Sequence, residues 1–176
     1  MTRSHGDLMD DSKNWPAEHG EAVWRTIFRL LGSDEGAADC FQETFAQFTG
    51  ISRRQVVRHP LGLLKRLATA RAIDAVRRRA ADRKRSKILD DQHPSDSGEP
   101  WQDAAANELA ENLRLALATI SPDQASAFCI TQLEGLDRAE AAEAMGITVD
   151  HLAVLLHRAR VNLQQRLAKH LPPVRR

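Results

Sequence analysis

The chain has 176 residues, enough for one ordinary domain or two small ones. Its formal net charge of +1 hides an uneven spread: residues 62–87 carry ten Lys and Arg against two Asp and Glu, residues 88–150 two against thirteen, and residues 151–176 six against none. Two basic blocks on either side of an acidic one fit a protein that touches a polyanion at two places better than one whose charges only solvate helix faces. Cys40 and Cys129 are too few and too far apart for a disulfide framework and read as small apolar residues in a reducing compartment. No apolar run is long enough to span a bilayer and the polar start of the chain has no apolar signal core, so a soluble cytoplasmic protein without membrane insertion is expected.

Helical period runs through almost every segment and sustained two-residue alternation is missing, so the sequence predicts an all-α fold. Trp15-Pro16 opens the first helix, with Val23, Trp24, Ile27, Phe28, Leu30 and Leu31 as its apolar face and Gly32 as its end. Ser33 is the expected cap of a second helix, with Asp34 and Glu35 in its first turn, a buried stripe of Ala37, Phe41, Phe45 and Phe48, and a stop at Gly50. Ile51–His59 reads as a polar, basic loop. Pro60 starts a third helix that buries Leu61, Leu64, Leu67, Ala68, Ala72 and Val76 and turns Arg71, Arg77, Arg78 and Arg79 largely elsewhere.

From residue 86 to 104 the composition shifts to Asp, Ser, Gly, Pro and Gln without apolar period, which marks a linker between a first domain, 1–85, and a second, 105–176. In the second domain Leu109, Leu113, Leu117 and Ile120 mark one helix, and Ser121-Pro122 opens another that runs through Phe128, Ile130 and Leu133 to a break at Gly135. Asp137 and Glu140 have capping-box spacing for a short helix with Ala141, Ala142 and Met145. Gly146 makes a tight turn and Thr148 caps a last helix expected to run to Pro172. A short helix, a Gly-containing turn and a longer helix form the pattern of a helix-turn-helix.

Two blocks of the chain, about 17–85 and 109–168, resemble the extracytoplasmic-function group of sigma factors. The first rests on LLGSDEGAADCFQETFAQF, with its D-x-x-Q-E-x-F, and on LLKRLATARAIDAVRRRAADRKR, with A-x-D before an arginine run. The second is ALATISPDQASAFCITQLEGLDRAEAAEAMGITVDHLAVLLHRARVNLQQRL, similar to the group's carboxyl-terminal helix-turn-helix. The resemblance implies a sigma region 2-like bundle followed by a region 4-like domain. It further implies RNA polymerase core enzyme and promoter DNA as partners, with an anti-sigma factor as a further candidate.

Carried onto matching positions, Asp39, Gln42 and Glu43 become the surface that docks on core polymerase, where carboxylates and an amide on one helix face can meet basic side chains. Arg53, Arg54 and Arg58 in the loop, with Arg71, Arg77, Arg78, Arg79, Arg83, Lys84 and Arg85 on the third helix, would engage and melt the −10 region. No Tyr occurs in the chain and the loop has no aromatic residue, so base capture would rest on a pocket and hydrogen bonds. Thr148, His151, His157, Arg158 and Arg160 are the candidates for −35 DNA. The intervening outward positions, Val149, Asp150, Ala153, Val154 and Leu155, are more apolar than the group's usual basic and small polar set. They leave two readings of that face, thymine-methyl contact or docking of a protein.

Two further readings stay open at this level: a helix-turn-helix regulator that works without polymerase, and a divergent sigma paralogue that serves as a protein-interaction module. Catalysis is not expected, because no Gly-rich phosphate loop, metal-ligand spacing or nucleophile motif is present; no metal or cofactor is called for. Asp90, Asp91, Asp96, Glu99 and Asp103 lack the Gly and terminal Glu of a calcium loop and read as solvated linker.

Overall fold

The computed structural model describes residues 15–89 and 104–168, and all regular structure among them is helical. Helix α1 spans Trp15–Leu31, α2 Ala37–Ser52, α3 Pro60–Leu89, α4 Ala104–Thr119 and α5 Pro122–Phe128. A π-helical stretch, Cys129–Leu133, continues α5, and α6 (Arg138–Met145) and α7 (Val149–Leu167) follow. Helix α3 therefore runs through residues first read as the start of the linker; the rest of that segment, 90–103, lies outside the described residues, as does the expected extension of α7 to Pro172.

Several element ends follow the local chemistry of the sequence. Ser121 accepts from the Gln124 N–H with Pro122 at the first helical position, and Thr148 accepts from the His151 N–H. Asp137 and Glu140 form a complete capping box, at 2.8 Å and 3.0 Å. Gly32, Gly135 and Gly146 take positive φ at the breaks between helices. Two expected ends move. The residue preceding α2 is Gly36, at φ 71°, and not Ser33, whose hydroxyl instead accepts from Arg79. Gly50 does not stop α2, which continues to Ser52.

Helix α1 buries Val23, Ile27, Leu30 and Leu31, but Trp24 and Phe28, expected on the same face, are 39% and 43% exposed. Gly20 of α1 faces the Phe41 ring of α2, where a Cβ would stand at an ordinary contact distance of 3.5 Å. Phe41 packs on Trp24 and Phe45, and Phe48 is fully buried beneath Trp15. The buried hydroxyls of Thr26 and Thr44 donate to the carbonyls of Ala22 and Cys40, so each is satisfied inside its own helix.

Helix α3 sits at the centre. Leu64, Leu67, Ala68, Thr69, Ala72, Ile73 and Ala75 are all buried and reach around most of the helix, because α1 and α2 cover one side while α4 to α6 cover another. Leu61 departs from the expected stripe and is 38% exposed; Leu109 of α4 likewise lies outside the core. One continuous cluster thus joins Val23, Phe48 and Leu64 to Leu117, Ile120, Ala159 and Leu163, with a smaller cluster of Ile130, Ala141, Leu152, Leu155 and Leu156 under the last helices.

Polar contacts cross the seam between the two halves. Glu134, with its side chain only 7% exposed, receives Arg29 at 3.1 Å and Lys65 at 3.5 Å, and Lys65 also donates to the Glu134 carbonyl. His59 faces Glu143 at 3.3 Å, and Arg83 meets Glu111 at 3.1 Å. Burial also lowers the affinity of the Arg66 guanidinium for its proton, with Asp123 acting in the opposite direction.

Leu64→Ala removes a fully buried side chain at this junction and should cost about 2–5 kcal/mol in urea-unfolding experiments. Glu134→Ala leaves Lys65 without its carboxylate and should cost about 2 kcal/mol, less than the ~3–5 of a fully buried pair because Arg29 is 43% exposed. Cys129 supplies a pH signature. Burial first, and Glu134 second, push its thiol up to about 12 from an ordinary 9.0. The folded thiol keeps its proton where the unfolded one loses it, so this contribution is complete below about pH 9 and is lost as pH rises towards 12. The alkaline fall of the urea midpoint should therefore be shallower in Cys129→Ala than in the parent chain.

Candidate nucleic-acid interface

Asp39, Gln42 and Glu43 are exposed on one face of α2, held there because Ala37, Cys40 and Thr44 turn inward on the other. They rim an open groove with Glu35, and its facing wall is made by Arg78, Arg79 and Asp82 of α3. Glu43 is drawn towards Arg71 at 3.5 Å, and Arg71 also donates to Gln47 at 2.8 Å. Cys40 lies against the same groove; burial foremost, then Glu43, push its thiol up, while Arg78 and Arg79 oppose this.

The basic residues fall into two groups. Arg53, Arg54 and Arg58 lie exposed in the 53–59 connection, and Arg78, Lys84 and Arg85 are exposed on α3. The others engage the chain itself. Arg77 donates to the carbonyls of Ala118 and Ile120 at 3.0 Å and 2.7 Å and approaches Asp74 at 3.4 Å. Arg79 donates to Ser33 at 3.1 Å and to the Glu35 carbonyl, closing the turn between α1 and α2. Arg83 is tied to Glu111. The sequence set these arginines apart by charge alone. It missed Arg29, Lys65, Arg114 and Glu134, whose pairing across the seam depends on packing between distant segments and has no signal at short range.

The carboxyl-terminal half holds a helix-turn-helix. α6, the Gly146 turn and α7 are fixed by the capping box and by burial of Leu152, Leu156, Ala159 and Leu163. Leu155, expected among the outward positions, is only 7% exposed and belongs to the core beneath α6, at the edge of the buried arc about 40° around the helix from Ala159. Val149, Asp150, Ala153 and Val154 do face outward, as do Thr148, His151, His157, Arg158 and Arg160. Among the described residues no group of three or more His, Cys, Asp or Glu could hold a metal ion, and no helix is long and apolar enough to cross a membrane.

A family model described as Sigma-70, region 4 matches residues 110–163, which contain this helix-turn-helix. The ECF RNA polymerase sigma factor SigE of Mycolicibacterium smegmatis (strain ATCC 700084 / mc(2)155) is 31% identical over 155 residues, covering 87% of this chain. The chain spans 60% of the length of that relative. In fold the chain is similar to the sigma factor RpoE from Bartonella quintana, solved in complex with the anti-sigma factor NepR, at a TM-score of 0.52 and 19% identity over 90% of this chain and 97% of that one. Residues 110–163, which hold the helix-turn-helix, thus match the Sigma-70, region 4 family, and over 87% of its length the chain is similar to an extracytoplasmic-function sigma factor.

Proposed function

We propose that the chain is a transcription initiation factor that joins core RNA polymerase, directs it to promoters and assists in opening them, without catalytic chemistry of its own. The single observation that carries this reading is the presence in one chain of an exposed Asp39, Gln42 and Glu43 face beside an arginine-bearing helix, together with a helix-turn-helix in the segment matched by region 4. A helix-turn-helix regulator that works alone would use the second half and leave the first without a role. Work on promoters also sets the proposed compartment, the cytoplasm.

In this reading the α2 face grips basic side chains of the polymerase, and complementary charge there governs encounter and register. The exposed arginines of the 53–59 connection and of α3 follow the phosphates of the −10 region, each neutralised phosphate adding close to one unit to the salt slope of binding. Arg53, Arg54, Arg58, Arg78, Lys84 and Arg85 are the members of this set that need no hydrogen bond or ion pair broken among the described residues. Arg71, Arg77, Arg79 and Arg83 contribute only by exchanging the partners described above. Thr148, His151, His157, Arg158 and Arg160 serve the upstream element. A protein inhibitor is part of the proposal, because the structurally similar RpoE is held by an anti-sigma factor.

The combined variant Arg53→Glu, Arg54→Glu, Arg58→Glu should lose promoter opening in permanganate footprinting with reconstituted holoenzyme, while its affinity for core stays within about twofold of the parent. Opening that survives in this variant removes the −10 assignment. Asp39→Lys with Glu43→Lys should weaken core binding by at least about tenfold in fluorescence titration. Unchanged affinity there removes the docking face.

A further inference from the structure

The outward face of α7 exposes valines among its polar residues, where a nucleic-acid reader usually carries hydrogen-bonding groups, and the structure indicates what that surface can recognise. At 3.6 residues per turn, Asp150, Val154, His157 and Val161 run along one line opposite the buried Leu152, Leu156, Ala159 and Leu163. Val149, Val154 and Val161 are 45%, 44% and 39% exposed, and none of the three is needed for either core cluster. Exposed valine is also a weaker helix former than alanine, so the helix itself does not call for it.

The surroundings favour DNA as the occupant over a protein. Residues 151–176 contain six basic residues and no acid, and Asp150 is the only acidic residue of α7. Arg158 and Arg160 are both exposed and project to opposite sides of the Val154 line, about 160° apart around the axis. A helix with its side chains, roughly 10–12 Å across, fills a major groove about 12 Å wide. In that position the two guanidiniums reach the phosphates on either rim, and the line between them, with Val154 and Val161 beside Asp150 and His157, meets the base edges. The apolar group that the groove offers is the C5-methyl of thymine. Val149, Ala153 and Val154 occupy the first two turns of α7, the part of a recognition helix that enters deepest. Their branched or short side chains have little rotamer freedom to lose on contact.

Resting on the sigma-factor reading above, we infer that α7 reads its upstream promoter element chiefly through thymine methyls. Val154 is the specificity-determining residue, Ala153 lies on the Arg160 side of it, and Arg158 and Arg160 hold the two backbones. Asp150, on the same line, suits a neighbouring cytosine amino group as an acceptor.

The test uses holoenzyme made from the full chain and core polymerase. Promoters are selected from a randomised duplex pool, and each thymine of the selected upstream element is then replaced by deoxyuridine, which deletes only the methyl group. Binding should weaken about fourfold per contacted methyl, the equivalent of one buried carbon. Val154→Asn should weaken binding to the thymine promoter to a similar degree and should be insensitive to deoxyuridine at the position Val154 contacts. An upstream element without thymine, no effect of deoxyuridine at any position, or an undiminished effect in Val154→Asn would each overturn the inference while leaving the sigma-factor reading standing. Loss of core binding in Val154→Asn would assign the face to a protein and also overturn it. A holoenzyme that enriches no promoter at all would instead bring down the reading on which the inference rests.

Discussion

Helix α3 has to bury apolar surface towards two neighbours at once, and the rest of the molecule is arranged by that demand. Between Leu64 and Ala75 its buried positions wrap most of its circumference. One side receives Val23, Ile27 and Phe48 from the first half, and the other receives Leu117, Ile120 and Cys129 from the second. Small side chains make this feasible: Ala68, Thr69, Ala72 and Ala75 keep the helix narrow enough for neighbours on both sides to come within packing distance. Deleting volume at Leu64 or Leu67 opens a cavity that belongs to both halves, so neither can relax independently to fill it.

That shared helix also explains the polar seam. Once α3 is covered on two sides, the long side chains at its margins have to find partners at the edge of the contact. Lys65 and Arg29 converge on Glu134, and Arg83 reaches Glu111. These pairs contribute register more than raw stability, because each gains Coulomb energy only against the loss of its hydration. The charge blocks seen in the chain thus have two roles: part of the basic block meets the acidic block within the molecule, and the remainder stays on the surface.

The sequence was most readable where structure is decided locally. The Ser121, Asp137 and Thr148 caps follow from side chains that satisfy backbone groups three residues on, and the Gly146 turn and the Pro60 start from the backbone angles that Gly and Pro favour. The inward residues of α7 followed from period, except Leu155, which a wider buried arc claims because α6 covers that flank. Reading failed where a tertiary neighbour decides. Trp24 and Phe28 sit on a helical face that no element among the described residues covers fully, and Ser33 gives up its capping role to Arg79. The π-helical stretch at Cys129–Leu133 also had no visible signal in composition or spacing. The arginines of α3 were identifiable as a set, whereas which of them point outward depends on carbonyls more than forty residues away.

Arg77 shows how far that dependence reaches. A guanidinium has five N–H donors in one rigid plane, and here Nε and Nη2 serve the carbonyls of Ala118 and Ile120 while Nη1 leans on Asp74. Those two carbonyls lie at the end of α4, where the helix has no backbone donors left to satisfy them. A phosphate can take a two-pronged grip on Arg77 only if water, or another donor, moves in behind it to solvate the abandoned helix end. The side chain therefore acts as a currency of exchange between peptide and polyanion, and its apparent taste for nucleic acid is set as much by how wet the end of α4 can become as by the phosphate itself.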